Sequence, residues 1–431
     1  MRIERFDWDG QDARAQGAEI RALQPALGEV RETVAGIIAE IRADPDAVLA
    51  IEARLAGGAG PSNADYPAGG GVPSEAIETA ASTLAPELAD ALETAASNIR
   101  AVAEAQLTEA EKVTLSQGQT VSLREVPVGS AGVYAPGGAA SYPSTVLMGC
   151  IPAKVAGVER VVLATPPGKE GRPVPDVVLA AAAISGADEV HAISGAQAIA
   201  ALALGAGGVI QPVDVIAGPG NRYVQEAKRQ LAGDVGIDGI AGPSELMVIA
   251  GDTAKAEWMG LDLCAQGEHG GDGLLVAAAV ETVILDGIEE AVRRIAEERG
   301  IAEDAALALV AVPDTVAAVT LANAIAPEHL EILTEDAELL ANTVTTAGCV
   351  FVGESSATAF GDYAAGSNHV LPTGGAGRFQ GPLGPGAFRR KIATVEMTQD
   401  AARELAPTVA TLARAEGFPL HAESVEARTK D

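Results

Sequence analysis

The chain reads as an α/β protein of two Rossmann-like parallel-sheet units without the GxGxxG fingerprint, plus a helical N-terminal segment and a C-terminal arm. Three observations predict this. From residue 120 onward, short β-rich runs alternate with Ala-rich helical stretches across Gly/Pro turns, which is the texture of βαβ units. Among 431 residues, 48% are hydrophobic, only 3% are aromatic and 49 are glycine, a composition suited to closely packed helices and strands with many turns. Two Gly-rich segments, AGVYAPGGAASYPS and DGIAGPSE, have no place in a single eight-stranded sheet and read as crossings between domains.

Taken in order, residues from about 17 to 109 set charged and apolar positions at helical spacing. The Gly/Pro/Asn-rich GGAGPSNADYPAGGGVP interrupts them, so helices separated by a flexible loop are expected. Strands are then expected at VSLREVPV, ERVVLAT, DEVHAIS, DVIAG, SELMVIAG, GLLVAAAV, ALALVAV and GCVFVG. Helices should alternate with them near 144–156, 176–186, 196–206, 219–232, 254–267, 288–299, 313–326 and 335–345. The tail lacks this texture and reads as an arm that reaches a neighbouring subunit. The expected boundaries are an N-terminal helical segment over 1–24, a main α/β domain over 25–133 and 244–383, a second Rossmann-like domain over 134–243, and the arm over 384–431.

A formal charge of -30, from 29 basic and 59 acidic residues, excludes a nucleic-acid backbone or an anionic membrane as the natural partner. Cys150, Cys264 and Cys349 form no CxxC arrangement and are odd in number, which supports neither a disulfide framework nor a thiolate zinc site. They read as residues of a reducing cytoplasm, with Cys150 and Cys264 as buried packing. MRIERFDWDG has no apolar leader core, and no stretch approaches the roughly 20 apolar residues that span a bilayer, so a soluble, unexported protein is expected.

Chemistry concentrates in a few short segments. In ANAIAPEHLEIL, Glu328 and His329 follow a proline where an apolar helical stretch ends, so two proton-transfer groups stand at a helix-to-strand junction. By itself such a pair is more often an ordinary surface feature of a loop. In LDLCAQGEHGG, Gln266 and His269 are three apart, roughly 60° around a helix, and project from one face as an amide oxygen and an imidazole that can both bind zinc. GDYAAGSNHVLPTGG adds Asp362, a hard oxygen ligand, and His369 on a Gly-rich loop; the plain alternative is an Asp-turn with a packed histidine. Glu416 and His421 complete the supply near the end, while His191 lies in a strand and reads as structural. IAGPGNRYVQEAKRQ has the strand, Gly-rich turn and helix start that aim N–H groups at a phosphate, yet GxGxxG, HEXXH, GxSxG and the P-loop are all missing.

In order, EVPVGSAGVYAPGGAASYPSTVLMGCIPAKVAGV, AGPGNRYVQEAKRQL, DGIAGPSELMVIA, AQGEH, APEHLEI and GDYAAGSNHVLPT resemble the signature blocks of histidinol dehydrogenases, over roughly residues 120 to 425. The resemblance implies a homodimer of two Rossmann-like units that oxidises L-histidinol through L-histidinaldehyde to L-histidine with two NAD. It implies zinc on Gln266, His269, Asp362 and the partner's His421, with Glu328 and His329 as the acid-base pair. It implies that Ser244, His369 and Glu416 join the zinc ligands and His329 in contacting substrate, and that Tyr134, Gln197 and Asn221 contact NAD. The chain departs from the family pattern at Gly267 and Gly270, where Ala and Asp are usual, and two glycines there are expected to loosen the last helical turn by about 1 kcal/mol each.

Two rivals stand beside this reading. A zinc- and NAD-dependent relative could oxidise another small diol, such as a sulfonated propanediol, although the carboxylate of Glu416 suits an amine and repels a sulfonate. A metal-dependent binding protein without turnover would have little use for both Glu328 and His329.

Overall fold

The computed structural model describes residues 1–24, 29–55, 70–137, 140–168, 173–301 and 305–430. They form two compact units, Met1–Ala105 with Gly129–Phe388, and Gln106–Val128 with Arg389–Asp431. In chain order the strands are β1 (Arg2–Asp7), β2 (Glu111–Thr114), β3 (Thr120–Pro127), β4 (Ser130–Tyr134) and β5 (Arg160–Thr165). They continue as β6 (Glu189–Ala192), β7 (Val215–Ala217), β8 (Gly236–Ile237), β9 (Glu245–Ala250) and β10 (Leu274–Ala279). The last are β11 (Ala306–Ala311), β12 (His329–Leu333), β13 (Cys349–Val352) and β14 (Arg389–Glu396).

The larger unit holds both parallel sheets, a six-stranded one in the order β1-β11-β10-β9-β12-β13 and a five-stranded one in the order β6-β5-β4-β7-β8. Strands β9 (ELMVIA) and β10 (LLVAAA) are buried at every residue, as continuous runs must be when helices cover both faces of a parallel sheet. The smaller unit pairs β14-β3-β2 antiparallel, with two helices, Gln399–Ala415 and Pro419–Ala427, joined by Ala410, Ala413 and Ala422.

Several expected boundaries are corrected. The N-terminal segment opens with a strand: RIERFD sets Ile3 and Phe6 against two different core clusters, keeps four charged residues, and pairs with β11 as a sheet edge; a helix, Ala13–Arg21, follows. VSLREVPV belongs to the antiparallel sheet, where β14 pairs along its whole length, so the tail from Arg389 folds with residues 106–128 and is no isolated arm. Helices Arg31–Ala43 and Val48–Leu55 bury Val34, Ile37, Ile41 and Ile51 in the core of the five-stranded sheet, which moves them away from the domain expected to hold 25–133. The stretch AGVY is no crossing but most of β4, the central strand of that sheet. The expected flexible loop over 57–73 lies largely outside the described residues.

The βαβ order positions the chemistry. His329 opens β12 in register with Leu246 of β9, so both strands start at one edge of the six-stranded sheet. The Ala256–Gly267 helix follows β9 and runs back toward that edge, which returns Gln266 to the beginning of β12. By contrast, Tyr134 ends β4, and the turn before Asn221 follows β7, at the carboxyl edge of the five-stranded sheet.

Candidate active site

The helix Thr315–Ile325 stops at Ala326, which takes a left-handed φ of 51°, and after Pro327 and Glu328 the strand β12 begins. A non-glycine residue in this region costs roughly 1 kcal/mol and persists only where its surroundings hold it. Arg21 does so. Its guanidinium donates to the Ile325 carbonyl at 2.5 and 2.9 Å and to the Ala326 carbonyl at 3.2 Å. The same guanidinium makes a two-pronged contact with the buried Glu245 carboxylate, at 2.8 and 3.1 Å, and Gly374 N donates to that carboxylate at 3.0 Å.

Glu245 in turn grips the proton-transfer pair with its main chain. Its N–H donates to Glu328 Oε2 at 2.9 Å, and its carbonyl accepts from His329 Nδ1 at 3.0 Å, which leaves His329 Nε2 facing Asp362 Oδ1 at 3.3 Å. That last approach is an ionic contact without hydrogen-bond alignment, since Nε2 has no hydrogen-bond partner. Burial pushes the Glu328 carboxyl up, and the charge of His329 and the Glu245 N–H hold it at about 7. Burial pushes the His329 imidazole down, but the Glu328 and Asp362 carboxylates outweigh it and carry it up to about 9. Asp362 is itself pushed up by burial and held below its ordinary value by His329.

Gln266, 4% exposed, donates its amide to Asp362 Oδ2 at 3.4 Å, while its Oε1 is buried without a partner. A buried amide oxygen beside a carboxylate is a donor pair suited to a hard or borderline cation. His269 lies beyond the helix, which ends at Gly267, rather than on its face as expected; its N–H donates to the Gln266 carbonyl at 3.2 Å, and its charge is felt by Asp362. Among the described residues, no three His, Cys, Asp or Glu side chains form a metal cluster by themselves. His369 donates Nδ1 to the Asp362 carbonyl at 2.8 Å and accepts from the Thr145 hydroxyl at 3.1 Å, and burial holds it below its ordinary value as a neutral ring. Ser244 immediately precedes β9 and Glu245.

The two glycines that depart from the family pattern have structural reasons. A Cβ on Gly267 would stand 2.9 Å from Ile301 Cγ2, and Gly270 takes φ +132°, a conformation that side-chain-bearing residues rarely adopt. Gly270 is outside the helix and costs it nothing, which corrects half of the expected loosening. Glu416 caps the Gln399–Ala415 helix and His421 stacks on Phe418 at 5.2 Å, both exposed in the smaller unit. Tyr134 and Gln197 are buried and engaged: the Tyr134 hydroxyl accepts from Gly195 N at 3.1 Å, and the Gln197 amide donates to the buried Glu52. Asn221 is exposed and caps the Arg222–Leu231 helix through Tyr223 N and Val224 N. The Cys150 and Cys264 thiols are pushed up by burial to about 12 and about 11 and stay protonated.

Sequence reading missed Arg21, Glu245 and Glu331. Glu331 had a signal, a carboxylate set between Leu330 and Ile332 in HLEIL, and it is fully buried; Glu245 holds the pair through its main chain, which leaves no mark in a sequence.

Two parallel sheets with a buried carboxylate-imidazole pair at a strand edge are the frame of an α/β enzyme that moves protons. A family model described as Histidinol dehydrogenase matches residues 22–429, and the chain belongs to that family. It is 41% identical over 408 residues to the histidinol dehydrogenase of Rhizobium meliloti (strain 1021), covering 93% of this chain and 92% of that one. It is 40% identical over 420 residues to that of Bacillus subtilis (strain 168), covering 95% and 96%. A crystal structure of histidinol dehydrogenase from Elizabethkingia anophelis superposes with a TM-score of 0.89 at 29% identity, covering 99% of this chain and 98% of that one.

Proposed function

We propose that the chain oxidises L-histidinol through L-histidinaldehyde to L-histidine, with one zinc ion per subunit and two NAD per turnover, as a cytoplasmic homodimer with shared sites. The observation that carries this is the buried, partnerless Gln266 Oε1 beside Asp362, next to an acid-base pair held by the main chain of one residue. Gln266, His269 and Asp362 would hold zinc together with His421 from a second copy, and bound zinc would fix the amine and imidazole of the substrate. NAD, as the electron acceptor, would lie at the carboxyl edge of the five-stranded sheet, near Tyr134, Gln197 and the exposed Asn221. In this reading Ser244, His369 and Glu416 contact substrate.

The chain's own residues then divide the work. Asp362, once its charge is taken up by a cation, no longer raises His329, and the imidazole can accept the substrate hydroxyl proton at Nε2 while Nδ1 stays bonded to Glu245. Glu328 draws a proton from a water at the aldehyde carbon. A carboxyl held at about 7 is ionised often enough to accept that proton and basic enough to do so with useful driving force.

The test supplies L-histidinol or a sulfonated propanediol with NAD and follows reduced cofactor. Two reduced cofactors per histidinol support the reading; turnover of the sulfonated diol alone overturns the substrate. No helix is long and apolar enough to cross a membrane among the described residues.

A further inference from the structure

Beneath Gln266, Asp362 and His329 lies a second tier that the reaction does not use. Each of three elements supplies both tiers. The Ala256–Gly267 helix gives Gln266 and, one turn earlier, the half-buried Asp262; the helix Thr358–Tyr363 gives Asp362 and, one turn earlier, Thr358; β12 gives His329 and, two residues on along the same face, Glu331.

The contacts in this tier are specific. Glu331 Oε1 accepts from both Thr358 N at 2.8 Å and Thr358 Oγ1 at 2.6 Å, while Oε2 is buried with no partner. The helix Thr358–Tyr363 needs this help, because Ala357 at its start has no side chain that can cap it. Gly361 lets the helix lie flat on β13, since a Cβ there would meet the Phe351 ring at 2.6 Å. A strand therefore caps the helix that carries Asp362, and the same strand begins with His329.

We infer that Glu331 is a positioning residue: through Thr358 it fixes the Asp362 helix to β12, and so sets Asp362 against His329 and Gln266 in the geometry that receives the cation. This rests on the reading of Asp362 as a metal ligand. Both donors converge on one oxygen, and the other has no hydrogen-bond partner, so the role needs an acceptor at Oε1 rather than an ion pair. Burial, and then the charge of Asp262, raise the Glu331 carboxyl to about 7, in keeping with a group whose role does not depend on its charge. Glutamine, which keeps the acceptor, should therefore substitute for it, and alanine should not.

Zinc affinity, measured on the full dimeric chain by competition with a chromophoric chelator, reads this without relying on turnover. Glu331→Ala should lose roughly 10–100-fold in zinc affinity, the usual cost of removing support behind a metal ligand, with a fall in kcat. Glu331→Gln should stay within about threefold of the parent. A folded Glu331→Ala with parental affinity, or a Glu331→Gln as impaired as alanine, overturns the proposal. If Glu331→Ala does not fold, Thr358→Val decides, because it deletes one of the two bonds and keeps the shape: a several-fold loss supports the role and parental affinity overturns it. Asp362→Asn separates the premises. If it loses zinc while Glu331→Ala does not, only the positioning role fails; if it binds zinc like the parent, the metal reading fails and takes this proposal with it.

Discussion

Glu245 holds Glu328 through its amide and His329 through its carbonyl, at 2.9 and 3.0 Å, so a single residue of β9 fixes both proton-transfer groups of the neighbouring strand. No side-chain substitution at 245 removes those two bonds directly. What can be removed is the clamp behind them. Arg21 ties the Glu245 carboxylate to the left-handed turn at Ala326, from an element at the other end of the chain.

Arg21→Met should therefore destabilise the fold by about 3–5 kcal/mol, the range for leaving one member of a buried ion pair uncompensated. Glu245→Gln should cost less, because the amide oxygen still accepts from Gly374 N and Arg21 is one-fifth exposed and can turn to water. Urea denaturation of both variants measures this; equal costs would show that the carboxylate charge is not what Arg21 neutralises.

Glu328→Gln should slow the aldehyde-to-acid half more than the alcohol-to-aldehyde half, since only the second half draws on an activated water. Supplying histidinaldehyde directly separates the two. In the parent the second half should also rise with pH through about 7, as the raised carboxyl ionises, and this rise should vanish in the variant.

His329→Ala should lower the alcohol step by roughly 10²–10⁴-fold, the span for a positioned proton-transfer group, with zinc content unchanged. Single-turnover formation of reduced cofactor reports it. A variant that loses its metal instead would place His329 among the ligands.

The pH dependence of stability has a definite sign at Glu331. Its folded carboxyl is raised from 4.5 to about 7, so between those values the unfolded chain releases a proton that the folded chain keeps, and stability falls as pH rises through that window. The effect is at most about 3 kcal/mol. In chelator-treated protein, Glu331→Gln should lose less thermal stability than the parent between pH 5 and 8; parallel curves would mean that Glu331 ionises normally.

Mixing inactive His269→Ala with inactive His421→Ala subunits after dissociation should restore about one quarter of wild-type activity, because half the dimers are mixed and each carries one undamaged site. Mixed dimers confirmed by mass but lacking activity would place His421 in the site of its own subunit.

Much of the larger unit was legible because its elements obey simple periods. ERVVLAT became β5 from Arg160, and the helix expected near 144–156 runs Pro143–Val155. Strands that escaped did so for physical reasons. β12 was anticipated only as the far side of a helix-to-strand junction, because two of its five positions, His329 and Glu331, serve chemistry and support and break the apolar run that marks a buried strand. VSLREVPV was seen as a strand but not placed, since a local pattern says nothing about a partner, here β14, that lies well over half the chain away. At the site, side-chain motifs pointed to Gln266, Asp362 and His329, which the fold brings together. The clamp of Arg21 and the main chain of Glu245 depends on tertiary placement and has no local pattern.

The pairing of β1 with β11 sets a timetable for synthesis. The two strands are separated by about 300 residues, so at 5–20 residues per second a nascent chain carries β1 without its partner for at least about 15 seconds. A strand edge left open that long is a template for aggregation. Arg2, Glu4, Arg5 and Asp7 spread alternating charge along it, which discourages pairing with a stray edge until the proper one emerges. The pattern that disguised this strand is thus what allows it to wait.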